Sequence, residues 1–391
     1  MRVSMPTIFG SIQTQLAKLV EGLQHTNAQI ASEQKYLQIS DNPVEVGALM
    51  GLKNESGQVT QYQSNLESGR NWLNATDGAL MNINELVTSL SGLANQMATG
   101  TYTAQQRAAA SQKVQQYLEE VMQAGNTSFQ GNYIFSGYEI KTQAFAMQNF
   151  AIQPPVMHLQ TGSTGTAASS GAYTGASSVT YIVQIVSGGA TGTATYQVSE
   201  DGGQTWSAIN TTGAGPLPLG SQGAQVSFGG NWVQGDRFTV AAYQPVVYQG
   251  DNNTLQLSIG QNSRLQVSQM GDQAIGGTGG ANDLFQILAR FKSDLEANDP
   301  QEIGARLVEL QKFQAHLTAV MAGVGATINR VDVKKNAYDS LGLQLTQNIS
   351  NKGDIDMVAA VNDLKSKETA YQAALLASTK VMSMSLVDYL G

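Results

Sequence analysis

Between Ile303 and Ile349, apolar residues return at alternating steps of four and three without a break. The row is Ile303, Leu307, Leu310, Gln314, Leu317, Met321, Val324, Ile328, Val331, Lys335, Tyr338, Gly342, Leu345 and Ile349. Side chains three and four apart share one face of a helix, so the row is a stripe along a single helix. Fully helical, about 47 residues span roughly 70 Å at about 1.5 Å per residue. An ordinary globular helix is three or four turns long. The spacing therefore predicts a rod that needs a partner along its whole length. "NDPQE" supplies its start, with Asp299 as cap, Pro300 in the first turn and Glu302 at the capping-box position.

Both ends of the chain carry stripes of the same kind. Near the beginning, Leu16, Leu23, Ile30 and Leu37 are seven apart, and Ile12, Leu19 and Thr26 interleave with them. Near the end, Met357, Val361, Leu364, Tyr371, Leu375, Met382 and Tyr389 fall in one row, with Glu368, Ser378 and Ser385 as its polar steps. Chain ends are usually polar and frayed. Two apolar tails are most simply read as partners of each other. A lone pair of helices buries little for the conformational entropy it loses, so the tails are predicted to be mobile in an isolated molecule and ordered once neighbouring copies cover them.

Between these stripes the reading is helices, then a β-rich insert, then helices. "SDNPVE" breaks the first helix and starts a second, with Asn42 as cap and Glu45 at the box position. "TAQQ" restarts helix after Gly100, with Thr103 as cap, and this segment ends near Gly125. From about residue 146, Gly, Ser and Thr crowd the chain. Short alternating runs such as Tyr181, Val183 and Ile185 then mark strands. Helix returns at "NDLFQIL" under Asp283, and Asp354 is expected to cap the last helix. The fold class is mainly α with a β insert: a long antiparallel helical, coiled-coil rod formed by the N- and C-terminal arms, carrying a small all-β outer domain. The parts are 1–40 with 354–391 (terminal coiled coil), 41–145 with 244–353 (helical rod) and 146–243 (β-rich).

Composition narrows the function. A net charge of -8 argues against a nucleic-acid surface. Charged residues are only 13 % of the chain, and small and amide side chains take their place, as suits surfaces that pack on copies of themselves. There is no cysteine, which rules out disulfides and Cys metal sites. "MRVSMPTIFGSIQTQL" lacks the apolar core of a cleaved signal peptide, and no run reaches the roughly 20 apolar residues of a membrane span. Catalytic, cofactor and metal residues are expected to be none. His25, His158 and His316 lie in three regions without a neighbouring carboxylate at ligand spacing. The Gly clusters lack the Lys-Ser/Thr of a phosphate loop. "SEDGGQTW", 199–206, fits S-x-D-x-G-x-T-W and resembles the Asp-box turn of sialidases and other sugar-handling propellers. A single copy makes no propeller, so Asp201 and Trp206 are read as holding a β-turn.

Five stretches together resemble the flagellin superfamily of bacterial flagella, and within it the hook–filament junction branch. They are "MRVS"; "SDNPVE", with Asp41, Asn42 and Pro43 standing where the family has an Asp-Asp-Pro turn; "GNYIFSGYEIKTQAF", with Tyr133, Phe135, Ser136 and Gly137; "VVYQGD", 246–251; and the terminal "ALLASTKVMSMSLVDYLG". The likeness covers about residues 1–145 and 245–391. It implies a non-enzymatic adaptor layer between hook-associated protein 1 and flagellin, self-associating head to tail in a ring or helical layer. It also implies export through the flagellar type III secretion apparatus with an uncleaved N-terminal signal, an export chaperone on the C-terminal seam, and no membrane insertion. Filament flagellin itself, a glycan-binding protein built on the insert and a needle-tip component of a related apparatus are the rival readings.

Overall fold

A computed structural model of the chain describes the backbone of residues 5–280 and 282–390, with side chains for 10–280 and 282–380. Its described residues form seven helices: α1 (Met5–Ser32), α2 (Pro43–Met97), α3 (Ala104–Gly125), the single turn α4 (Gly271–Ala274), α5 (Leu284–Glu296), α6 (Pro300–Gly353) and α7 (Met357–Leu390). Short antiparallel strands fill most of the chain between α3 and α4. The molecule is thus mainly helical with a sheet-rich insertion. It divides into two compact units, residues 1–64 with 334–391, and residues 65–333.

The long stripe is one helix of 54 residues. Every member of the 4-3 row lies inward. Ile303, Leu310, Leu317, Val324, Val331 and Leu345 are buried, and the other eight are half-buried. Asp299 caps this helix, its carboxylate accepting the amides of Gln301 at 3.1 Å and Glu302 at 3.2 Å. Glu302 turns its own carboxylate onto Arg306 at 2.9 Å instead of back to the cap. Thr103 and Gln106 make a full capping box on α3, and Asp283 caps α5 through the amide of Gln286 at 3.1 Å.

In the first unit α1 packs against α7, and the two run antiparallel, since Gly22 meets Lys367 while Thr26 meets Asp363. α2 and α6 also run antiparallel here. Leu49 fills the space over Gly353, and Gln63 donates to Asp339 at 2.8 Å. The Tyr62 and Tyr338 rings lie 5.6 Å apart.

Two helix ends differ from the expected ones. α1 stops at Ser32, well before "SDNPVE", so Leu37 is not on that helix. Glu33 takes a left-handed φ of 57°, and the chain then pairs with a distant segment. The Lys35 amide donates to the Gly353 carbonyl at 2.7 Å, and the Ile355 amide to the Glu33 carbonyl at 3.1 Å. That pairing also carries α6 through to Gly353 and moves the cap of α7 from Asp354 to Asp356, which accepts the amides of Val358 and Ala359 at 3.0 Å.

In the second unit, Leu66, Leu80, Ile83, Val87 and Leu90 of α2 are buried in one helical row, as are Val114, Leu118 and Val121 of α3. α3 packs on α5, which contributes Leu284, Phe285, Leu288 and Phe291 to the core. The insert is built on one antiparallel sheet ordered Asn210–Thr211, Thr195–Ser199, Val179–Ser187, Arg237–Tyr243 and Ala151–Ile152, with Val156–His158 also on Arg237–Tyr243. A second sheet joins Leu217–Pro218, Ala224–Gly229 and Thr166–Gly171. Ala224–Gly229 alternates buried and half-buried, the period of a half-covered strand. The insert has its own core, where Tyr196, Phe228, Trp232 and Phe238 stack with Val183, Val226 and Val240. Strands also fall outside 146–243, beginning at Ser128 and including a Gln256–Gly260 and Ser263–Gln266 hairpin.

The insert meets α5 through polar contacts. Lys292 bonds Ser178 and, at 2.6 Å, Glu296. Thr180 donates to Glu296 at 2.8 Å and to Ser293 at 3.1 Å. Arg237 reaches the Ala297 carbonyl.

Candidate assembly surface

The stripe expected on α1 lies partly covered: Ile12, Leu16, Leu19, Leu23 and Ile30 are all half-buried. Leu37, in the connection to α2, is half-buried as well. The expected row on α7 splits. Leu364 and Tyr371 are half-buried, whereas Met357, Val361 and Leu375 are exposed. Met382 and Tyr389 lie outside the described side chains. The covered positions of α7 are Ala360, Leu364, Lys367, Tyr371, Ala374 and Ser378. This is again a 4-3 row, but of small, polar and aromatic residues, which an apolar count passes over. The larger aliphatic residues stay outside. Val358 is 74 % and Leu376 71 % exposed, with Val361 and Leu375 nearby in sequence on the same helix. Helix α7 therefore carries an unpartnered apolar surface in addition to the one it spends on α1.

The "SDNPVE" turn is organised by its first carboxylate. Asp41 accepts the amides of Leu37 at 2.8 Å and Gln38 at 3.0 Å, and lies 3.5 Å from His25. The backbone bonds from Gln38 and Leu37 hold its pKa below the usual carboxylate range. Asn42 caps α2 by accepting the Glu45 amide at 3.2 Å, and Pro43 is the first helical residue. Glu45 instead pairs with Lys352 at 2.9 Å, tying the start of α2 to the end of α6 within the first unit.

In the second unit, "YIFSGY" and "VVYQGD" close on each other. Phe145–Met147 and Val246–Tyr248 pair antiparallel. Tyr133 donates its amide to Ile140 at 2.7 Å. The Phe135 ring is fully buried, and its carbonyl accepts the Tyr248 hydroxyl at 2.9 Å. The hydroxyl of Ser136 donates to Thr142 at 2.8 Å, and its carbonyl accepts the Asp251 amide at 3.2 Å. The Tyr138 amide donates to the Asp251 carboxylate at 2.7 Å. Between them, Gly137 sits at φ +70°, and any Cβ there would collide with that carboxylate. Here glycine is required twice, by backbone hand and by space. The Asn253 amide group, then the Tyr138 backbone bond, hold Asp251 below its ordinary pKa.

The "SEDGGQTW" turn is tied by its acid. Asp201 accepts the amides of Thr205 at 2.8 Å and Gln204 at 2.9 Å, the Thr205 hydroxyl at 2.6 Å and the Ser199 hydroxyl at 2.8 Å. Desolvation works to raise its pKa, but the bonds from Thr205, Ser199 and Gln204 outweigh it and lower it. Half-buried Trp206 lies against Gly203. A carboxylate this committed has little capacity left for a sugar.

Sequence reasoning missed an ion cluster where the insert faces α5 and α6. Arg306, almost wholly buried, meets Glu309 at 2.8 Å, Glu302 at 2.9 Å and Asp294 at 3.1 Å. Burial pushes Asp294 up to about 8, against the pull of Arg306 and with Glu302, Asp299 and Glu309 adding to the rise. A cavity of about 330 Å³ adjoins it, lined also by Tyr243 and Arg290. Two histidines find carboxylates at long sequence distance, His25 at Asp41 and His158 at Asp299 at 3.6 Å. His316 meets the Gln273 carbonyl at 2.7 Å. Among the described residues no group of three His, Asp or Glu is placed to hold a metal, and no helix is long and apolar enough to cross a membrane.

Residues 8–140 match the family model of the bacterial flagellin N-terminal helical region. No curated protein matches the chain in sequence. A flagellar hook-associated protein from Vibrio parahaemolyticus superposes with a TM-score of 0.51 at 14 % identity, over 80 % of this chain and 100 % of that one. Hook-associated protein 3 from Legionella pneumophila gives 0.42 at 15 %, over 77 % and 97 %. The Bacillus cereus protein FlgL gives 0.44 at 13 %, over 77 % and 99 %. The Vibrio protein shares the fold of this chain.

Proposed function

We infer that this chain, which carries a flagellin-type N-terminal helical region, is a structural component of the bacterial flagellum that joins hook to filament. The observation that carries the reading is the match over residues 8–140, which spans α1, α2, α3 and the "YIFSGY" crossing. The fold shared with a hook-associated protein and the uncovered apolar surface of α7 support it. The role is mechanical and non-enzymatic.

Residues 1–40 with 354–391 form a terminal coiled-coil domain lining an inner tube. Residues 41–145 with 244–353 form a helical rod around it, and 146–243 an outer domain facing away from the axis. Copies associate laterally and head to tail in a ring or helical layer, an open arrangement rather than a closed dimer. Hook-associated protein 1 lies on one side and flagellin on the other. The stripe of α1 and the outer residues of α7 make the contacts between copies. Before assembly an export chaperone covers the C-terminal seam, and the chain leaves through the flagellar secretion apparatus. Neighbouring copies complete the order of α1 and α7. Limited proteolysis tests that last point: helices as resistant in dilute monomer as in the assembly would contradict it.

Deletion of the gene tests the function. Cells without a junction protein keep intact hooks and release unpolymerised flagellin into the medium, and a plasmid copy restores filaments. Normal filaments in the deletion strain would overturn the reading. Loss of flagellin protein itself would identify the chain as filament subunit.

A further inference from the structure

Among the described residues, the α1–α7 interface contains a polar site centred on Thr26. Thr26 is 2 % exposed. Its hydroxyl donates to the Asp363 carboxylate at 3.2 Å and accepts from the Lys367 ammonium at 2.9 Å, and Lys367 and Asp363 pair at 2.7 Å. The stem of Lys367 passes over Gly22, where the nearest approach of a built Cβ would be 3.8 Å. A methyl group at position 22 would rest in ordinary contact with that stem. Half-buried Leu19, Leu23, Ile30, Leu364 and Tyr371 occupy the rest of the interface.

We propose that Thr26, Asp363 and Lys367 form a register lock that fixes α1 against α7 in one alignment. A stripe of aliphatic residues at seven-residue spacing tolerates sliding by a heptad, about 10.5 Å of rise. A buried polar group does not, because its partners must arrive with it. Slid one heptad toward the start of α1, the Asp363–Lys367 pair travels intact on α7, but Asp363 comes level with Leu19, which offers it no hydroxyl. Slid the other way, Asp363 comes level with Glu33, and Thr26 is left among the alanines at 370 and 374. Both misalignments take the Thr26 hydroxyl away from Asp363 and Lys367. The site thus contributes alignment more than stability, which suits an interface whose remaining contacts are interchangeable. The Asp363 pKa, lowered first by the Lys367 hydrogen bond, agrees with a pair formed in the folded chain. This inference stands on the α1–α7 geometry and does not depend on the flagellar reading.

The absence of cysteine makes the test direct. Full-length chain carrying Leu16→Cys with Ala374→Cys reports the observed alignment, and Leu23→Cys with Ala374→Cys reports one heptad of slip. A short bismaleimide should crosslink the first pair at least about tenfold faster than the second, the preference expected from the two partly buried hydrogen bonds that Thr26 makes across the interface. Adding Thr26→Val, Asp363→Leu and Lys367→Met should bring the two rates within about threefold, with helical circular dichroism kept or raised. Thr26→Ser, which keeps the hydroxyl, should retain the preference. Equal rates in the parent, or an undiminished preference in the apolar triple variant, would overturn the proposal. If the triple variant loses helix, Lys367→Met alone decides between the same two outcomes.

Discussion

Replacing Val358 and Leu376 by Gln separates folding from assembly. Both side chains are nearly three-quarters exposed in the isolated chain, so their loss removes almost no contact within it, and glutamine has nearly the helix propensity of leucine. Covered by a neighbouring copy, each would contribute about 1.5–3 kcal/mol. With roughly half of that realised at an imperfect interface, the pair accounts for about 2 kcal/mol. At about 1.4 kcal/mol per tenfold, the double variant should assemble about thirtyfold less readily. The assay is the critical concentration for assembly, by sedimentation or light scattering, beside a thermal melt by circular dichroism. The melt should stay within about 2 °C of the parent, since exposed substitutions change little. Leu317→Ala is the converse control. That residue is fully buried in α6, and its truncation should cost about 2–5 kcal/mol. A critical concentration within threefold of the parent, with an unchanged melt, would refute the assignment of the outer α7 residues to contacts between copies.

Gly137 and three aspartates of the second unit make further predictions. Gly137→Ala should destabilise the second unit by about 2–4 kcal/mol, because it combines a left-handed backbone with a collision against Asp251; a chemical denaturation midpoint equal to the parent's would contradict this. Asp201 and Asp251 have folded pKa values below 3.8. Their contribution is present above that value and lost as pH falls through the folded pKa, so Asp201→Asn should flatten the acid limb of a stability–pH profile. Asp294 acts in the opposite sense. Raised from 3.8 to about 8, it destabilises the fold progressively as pH climbs between those values. Asp294→Asn should therefore raise the melting temperature at pH 8.5 and leave it unchanged at pH 4; equal shifts at both would show that another group governs the slope.

The helical frame was legible because its determinants are local. One unbroken row marks α6, and Thr103, Asp283, Asn42 and Asp299 each announce a helix start within four residues. Gly137 was visible as a motif residue, although only the structure shows what it avoids. The end of α1 was hidden because it is set by the backbone bonds of residues 33–35 to residues more than three hundred positions away. The inward face of α7 was misjudged for a different reason. Aliphatic residues occur on both sides of that helix, and the side against α1 has a single large aliphatic residue, Leu364, among alanines, a lysine, a tyrosine and a serine. Polar seating of the insert on α5 had no local signature, since Ser178 and Lys292 are 114 positions apart in sequence.

The pairing of Phe145–Met147 with Val246–Tyr248 sets the two points where the chain leaves for the insert and comes back side by side, Met147 opposite Val246. A tight turn could bridge that gap at little entropic expense. The intervening hundred or so residues thus occupy a socket whose rim is complete before they begin, and a shorter, longer or unrelated module could be spliced there while the helices beneath keep their shape.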